Sequence, residues 1–376
     1  MEIFVLIGIL LAVFLAEVIY YTRHGLDNLY LKVDFTKNVA KYGEDIELIE
    51  VAENKKRLPL PFIILKFEAP REIKFYDMKN TTTSDYLYRE DMLTMKAFSK
   101  HTRRIKVCCT RRGYYVFPRV GITTSDLFLM KRLTKEFPND SYLVVLPEVI
   151  NSDIMQMLMS VTLSEIQCRR TLLTDPFTLA GIREYGPDDP MNMINWKASA
   201  KTGELMVNQN ASTCTQKVHI FLNLEYYNQK HSTSLLEKSI SLAYTYLIRL
   251  AEVGIPAAIY TNGCDVLTEL PVVSETDLGS ATLDERAKML ARIDLKKPSL
   301  PFAETLEKYI PSTDRDDFIL VISPQYSDSF RMHLAGKKAV RQGTHWLMPC
   351  YKTTPEADLD YVTSTSYIRW EVIGND

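Results

Sequence analysis

Hydrophobic and polar positions fall into three regimes along the chain. The first is residues Ile3 to Tyr21 (IFVLIGILLAVFLAEVIYY), apolar throughout except for Glu17. At about 1.5 Å per residue, a helix over this stretch is about 28 Å long, close to the hydrocarbon thickness of a bilayer. Glu17 lies near one end, within reach of the headgroups, and Tyr20 and Tyr21 fall where amphipathic rings favour the interface. A secretory signal peptide fits less well, because only Met1 and Glu2 precede the run and no A-x-A-like site follows it. The pattern predicts a membrane anchor over residues 1–24. Arg23, His24 and Lys32 follow the span and no Lys or Arg precedes it. The positive-inside rule then predicts a single-pass protein with its C-terminal part in the cytoplasm.

The second regime runs from Leu29 to about Pro147 with period two. Leu29–Phe35, Asp45–Glu53, Phe62–Glu68, Arg104–Thr110, Tyr114–Pro118 and Tyr142–Leu146 are short β-prone runs separated by turn residues. Such spacing without a helical period predicts an antiparallel β-sandwich, immunoglobulin-like, over residues 29–148. Polar, Tyr-rich Lys79–Met92 reads as a long hairpin or loop. Residues 149–180, with the apolar run Met155, Met157, Leu158 and Met159, read as a helical or irregular connector whose methionines pack.

The third regime, residues 212–376, alternates strand and helix. Val218–Leu224, Ile255–Tyr260, Phe318–Ile322, His345–Pro349 and Tyr367–Val372 read as strands. Ser234–Val253, Leu283–Ile293, Phe302–Tyr309 and Asp328–Val340 read as helices, and Val266–Val273 as an extra hairpin element. Continuous apolar strands between amphipathic helices predict a parallel sheet covered on both faces. The fold class expected is α+β multidomain: a transmembrane helix, a β-sandwich, then an α/β Rossmann-like domain.

Composition narrows the functional classes. The chain has 376 residues, enough for two folded units, with 46% hydrophobic and 24% charged residues. Its formal charge of −2 gives no basic footprint for nucleic acid. Six cysteines are scattered without C-x-x-C spacing, which fits a reducing compartment and argues against a disulfide framework or zinc site. Adjacent Cys108 and Cys109 should point to opposite faces of their strand. No G-x-S-x-G, H-E-x-x-H, G-x-G-x-x-G or phosphate-loop motif occurs, and the histidines lack ligand spacing. His219 reads as a core-edge or solvent-facing strand residue. Arg103, Arg104, Lys106, Arg111 and Arg112 form a basic cluster expected to cover one sandwich face.

The segment that carries most information is 181–211, which includes GIREYGPDDPMNMINWKASAKTGELMV. Gly186-Pro187 turns the chain, and Asp189-Pro190 predicts a helix start, with Asp189 capping and the helix running to about Lys201. Lys197 and Lys201 share a solvated face, and Trp196 is expected to anchor the helix against a core. The pattern R-E-Y-x-P-x-D followed by W-x-x-S-A-x-x-G-x-L-x-V rests on Arg183, Glu184, Tyr185, Pro187, Asp189, Trp196, Ser199, Ala200, Gly203, Leu205 and Val207. It resembles the uncharacterised bacterial family called domain of unknown function fifty-eight. Arg111-Arg112-Gly113-Tyr114 and Ser125-Asp126-Leu127-Phe128 are similar to two further motifs of that family. The chain departs from it at Asp188, Asn192 and Ala211, where the family carries Gly, Arg and an acidic residue.

The resemblance implies that residues 212–376 form a von Willebrand factor type A-like domain. Functional domains of that type hold Mg²⁺ through D-x-S-x-S after the first strand; here that run is Asn223-Leu224-Glu225-Tyr226-Tyr227, with neither serine present and Asn in place of the first Asp. No metal and no cofactor is therefore expected. The resemblance also implies a protein partner, a MoxR-type AAA+ ATPase acting in envelope protein assembly. The expected function is a non-enzymatic, membrane-anchored scaffold or adaptor that binds through Arg183, Glu184, Tyr185, Asp188, Asp189, Trp196, Lys197 and Ser199. Two alternatives are a metal-dependent ligand receptor and a hydrolase using Glu184, Asp188 and Asp189, since paired carboxylates can divide acid and base roles.

Overall fold

A computed structural model describes residues 2–77, 81–83, 87–172, 174–187, 189–212, 217–225, 232–274, 280–297, 300–313, 317–324, 344–352, 354 and 366–372. It is a mixed α/β protein with two compact units, Met1–Glu148 and Val149–Asp376.

The first unit begins with α1 (Glu2–His24), an apolar helix long enough to cross a membrane. The strands that follow are β1 (Leu29–Phe35), β2 (Val39–Ala40), β3 (Asp45–Asn54), β4 (Leu60–Ala69), β5 (Ile73–Phe75), β6 (Thr81–Thr83), β7 (Leu87–Met95), β8 (Lys100–Cys109), β9 (Gly113–Ser125) and β10 (Arg132–Val145). They form a four-stranded sheet, β1-β3-β8-β5, and a six-stranded sheet, β2-β10-β9-β4-β7-β6. The alternate apolar residues of both sheets, among them Val33, Leu48, Leu65, Val107 and Phe117, meet in one core. The base of α1 is tied to this unit. Tyr21 donates to the Pro59 carbonyl at 3.0 Å, and Lys56 Nζ donates to the carbonyls of His24, Gly25 and Asp27. Burial pulls the Lys56 ammonium down to about 8.

Two expectations hold here and one changes. Lys79–Met92 takes the hairpin form of its two readings: β6 and most of β7 lie within it and pair antiparallel. Their alternation is disguised because two inward-facing residues are charged, Arg89 and Asp91, both almost fully buried. They lie opposite Glu50 of β3 and Arg103 of β8, which also face inward. The expected basic face therefore shrinks to Arg104 and Lys106, which are exposed on one side of β8. Arg103 turns inward to Asp91, Arg112 is buried, and exposed Arg104 pairs with Glu47. Cys109 is buried, which pushes its thiol up to about 12, while Cys108 is half-buried on the other strand face.

The second unit opens with α2 (Asp153–Leu172), a 20-residue helix in the stretch read as a connector. Met155, Leu158, Met159, Thr162 and Ile166 bury one side of it, while Met157 is exposed. Then come β11 (Thr174–Glu184), α3 (Trp196–Thr202), β12 (Met206–Ser212), β13 (Val218–Leu222), α4 (Ser232–Glu252), β14 (Ala257–Cys264), β15 (Pro271–Ser274), α5 (Ser280–Ala291), α6 (Phe302–Tyr309), β16 (Phe318–Ile322), β17 (Thr344–Cys350) and β18 (Ser366–Glu371). The expected helix Asp328–Val340 lies outside the described residues.

β13 to β18 form one six-stranded sheet, ordered β15-β14-β13-β16-β17-β18, parallel except for β15. The inner strands β13, β14, β16 and β17 are buried at nearly every position, as the continuous apolar runs require. Phe221, Tyr260, Val321, Trp346 and Met348 pack with α6 on one face. The alternate residues Ile220, Leu222, Leu320 and Leu347 are buried on the other face, and α4 packs against β13, β14 and β17. Gly254, in the left-handed region at φ 73°, ends α4 as its position predicts. His219 is not solvent-facing. Its Nε2 lies 2.8 Å from Asp317 and its Nδ1 3.2 Å from the Tyr260 hydroxyl, all inside the unit.

Candidate functional site

The signature segment folds into a small module of the second unit. β11 and β12 pair antiparallel, with Arg183 opposite Val207 and Glu184 opposite Met206. Residues 185–205 form a loop between them, containing a single 3-10 turn (Met191–Met193) and α3. The helix start differs from the expectation. Asp189 does not cap; Asn195 does, its Oδ1 accepting the Ala198 N–H at 3.0 Å. Proline and a 3-10 turn use up residues 190–193, so the first residue with a free capping carbonyl ahead of three amides is Asn195. Gly203, left-handed at φ 80°, closes α3 and returns the chain to β12.

Asp189 instead holds the loop. Arg183 clamps it with two parallel bonds, Nη1 to Oδ2 at 2.6 Å and Nη2 to Oδ1 at 2.5 Å, and the Gly186 N–H also donates to Oδ2 at 2.8 Å. These donors hold the Asp189 carboxyl below the usual carboxylate range and raise the Arg183 guanidinium further. A carboxylate held this way stays ionised and is a poor proton donor. Ser199 is also structural: its Oγ donates to the Asn195 carbonyl and accepts the Met206 N–H, both at 2.9 Å. Tyr185 is half-buried and its N–H bonds the Leu205 carbonyl. Asp188 lies outside the described residues. Glu184 and Lys197 are exposed.

Trp196 overturns its expectation outright. It is 67% exposed and anchors no core; the side chains that fix α3 are Asn195 and Ser199. Leu179, Ile182, Met191 and Leu205 of the same module are exposed as well. The module thus combines an internally hydrogen-bonded frame with an apolar surface that includes Trp, Met and Arg, residue types enriched where proteins meet. Asn195 and Asn208, whose side chains bond each other at 2.7 Å, were missed at the sequence level. The available signal was an Asn three residues ahead of a helical amide.

The C-terminal ends of β13, β14 and β16 form the other polar locus, where ligands bind in sheets of this kind. Here Asn223, Asn262 and Ser323 are fully buried and bonded mainly to each other and to the backbone. Asn223 donates to Ser323 Oγ at 3.0 Å, Asn262 accepts the Leu224 N–H at 2.8 Å, and Glu225 accepts the Phe302 N–H at 3.1 Å. The side-chain Oδ1 of Asn223 is likewise engaged, by the Glu225 N–H. The donor set is amide and hydroxyl with one carboxylate, a weak match to a hard divalent cation. Among the described residues, no three His, Cys, Asp or Glu side chains are grouped as metal ligands.

No family model matches the sequence, and no curated protein matches it. Solved structures with similarity include a non-cellulosomal cohesin from the archaeon Archaeoglobus fulgidus, at 12% identity over 31% of this chain and 91% of that one, with TM-score 0.22. A CARDB domain from Pyrococcus furiosus, bound to di-metal ions, has 13% identity over 32% of this chain and 90% of that one, with TM-score 0.21. A cohesin–dockerin complex from Clostridium thermocellum has 8% identity over 31% of this chain and 99% of that one, with TM-score 0.21.

Proposed function

We propose that the protein is a membrane-anchored adaptor that captures a protein partner through the β11–β12 module. The observation that carries this reading is Trp196, held 67% exposed on a loop fixed by hydrogen bonds of Asn195, Ser199 and Asp189. Leaving a large indole in water is unfavourable, and the Arg183–Asp189 clamp keeps the loop that displays it in one shape. A preformed surface of this sort binds without an ordering cost. α1 serves as the anchor, and Arg23 with Lys32 after it favours a cytoplasmic location for both units. The second unit is von Willebrand factor type A-like in this reading, without a working metal site, because Asn223 replaces the first acidic ligand. The partner class is the MoxR-type AAA+ ATPase implied by the family resemblance, and the role is holding rather than reacting.

The test is affinity purification of the full chain in mild detergent, with and without ATP, followed by mass spectrometry. A MoxR-type ATPase should copurify with the parent protein and be lost from Trp196→Ala. Equal recovery with both proteins, or recovery of no such ATPase with either, overturns the reading.

A further inference from the structure

The turn between β9 and β10 carries the sequence Asp126-Leu127-Phe128-Leu129-Met130-Lys131. Leu127, Phe128, Leu129 and Met130 are 52%, 58%, 62% and 70% exposed, an uninterrupted apolar tip on an otherwise well-packed unit. This tip lies against α1. The Phe128 and Phe14 rings have centroids 5.0 Å apart, and Glu17 Oε1 accepts the Leu127 N–H at 2.9 Å. Phe14 precedes Tyr21 by seven residues, so the tip reaches about 10 Å along the apolar stretch of the helix.

We propose that this end of the sandwich docks on an anionic lipid bilayer, with Leu127–Met130 inserted among the acyl chains beside α1. The proposal rests on α1 spanning the membrane: the level of Phe14 then lies within the hydrocarbon, and the tip must lie there too. Four of the five amides from Leu127 to Lys131 are paired, which lowers the cost of entering that medium. Leu127 N–H is taken by Glu17, Leu129 N–H by the Asp126 carbonyl, and the N–H groups of Met130 and Lys131 by Asp126 Oδ1. Glu17, the lone charge in the apolar run, thereby acquires a purpose in satisfying the tip. Leu129 sits in the left-handed region at φ 58°, a position that glycine or asparagine fills more easily. A leucine there is a strained choice for water and a useful one for lipid.

The surroundings complement headgroups. Lys55, Arg57, Lys96, Lys131, Arg132 and Lys135 are exposed around the same end of the strands, with Asp27 and Glu53 interleaved. Phe98, 67% exposed, crowns the neighbouring β7–β8 turn, whose N–H bonds the Lys56 carbonyl. Basic residues ringing an apolar tip are the pattern of an interfacial anchor on anionic lipid.

The test uses the full chain reconstituted into vesicles of phosphatidylcholine and phosphatidylglycerol with brominated acyl chains. Leu129→Trp is compared with Tyr42→Trp, at the opposite end of β3 and about 30 Å away; Tyr42 is exposed and adjoins Gly43, which bonds Cys109. Trp196, Trp346 and Trp370 give both variants the same background. Brominated chains should quench the added emission of Leu129→Trp and leave that of Tyr42→Trp intact. Met130→Trp reports on the same tip should Leu129→Trp fold poorly. Chain that resists carbonate extraction while all added tryptophans stay unquenched overturns the proposal and leaves the span standing. Chain released by carbonate overturns the span and the proposal together.

Discussion

Arg89 in the sandwich and Arg183 in the β11–β12 module make nearly the same contact with very different consequences. Arg89 Nε lies 2.6 Å from Asp91, and Arg183 clamps Asp189 at 2.5 and 2.6 Å. Arg89 has no exposed surface and stacks over Phe75, whereas the Arg183 side chain is 48% exposed. Around Arg89 the charges cannot be solvated, so each depends on the others. Glu50, fully buried beside Asp91, is pushed up to about 8 by desolvation and then by the Asp91 charge. Burial also acts to raise Asp91, but the hydrogen bond and charge of Arg89, with Arg103 behind, hold it below its usual range. Similar bond lengths therefore say little about energy; desolvation decides whether an ion pair is structural or a surface clamp.

The largest expected effect is Arg89→Ala. Removing one partner from a buried charge cluster leaves Asp91 under-compensated, and a loss of about 3–5 kcal/mol in denaturant-measured stability is expected. A loss within error of zero would mean that water reaches the cluster.

Next comes pH. Glu50 binds its proton more tightly in the folded protein than in the unfolded chain. Its contribution is therefore complete below the ordinary carboxylate value of 4.5 and is lost as pH rises towards about 8. The parent should lose stability relative to Glu50→Gln across that window, read as a widening difference in melting temperature. Parallel curves would place the Glu50 carboxyl in contact with solvent.

Trp196→Ala should change stability by less than about 0.5 kcal/mol while abolishing partner capture, because the indole touches water rather than core. A large destabilisation would return Trp196 to a packing role. Smallest of all, Arg183→Ala should leave the melting temperature unchanged, its ion pair being solvated, and still weaken capture by loosening the loop. A shift as large as that of Arg89→Ala would erase the contrast between the two arginines.

Legibility followed the same divide. β1, β16 and α6 match the sequence pattern residue for residue, since their apolar periods are uninterrupted. β7 was legible only as part of a hairpin or loop, because its inward phase carries Arg89 and Asp91, which alternation scores as surface. In the site, the Arg183–Asp189 pair fits an arginine seeking an acidic neighbour, but the shift of the cap from Asp189 to Asn195 depended on a 3-10 turn that propensity does not resolve. The exposure of Trp196 was unreadable for a further reason: an indole at helical spacing looks identical whether the facing surface is core or solvent.

By itself, the sequence determined an apolar leading helix, a period-two region and an alternating strand–helix region, because hydrophobic periodicity encodes which side of each element must leave water. Only the tertiary structure decided which charged residues turn inward, which tryptophan stays outside, and that Glu17 meets the β9–β10 tip. Those outcomes depend on contacts between residues distant in the chain, and a local pattern carries no term for them.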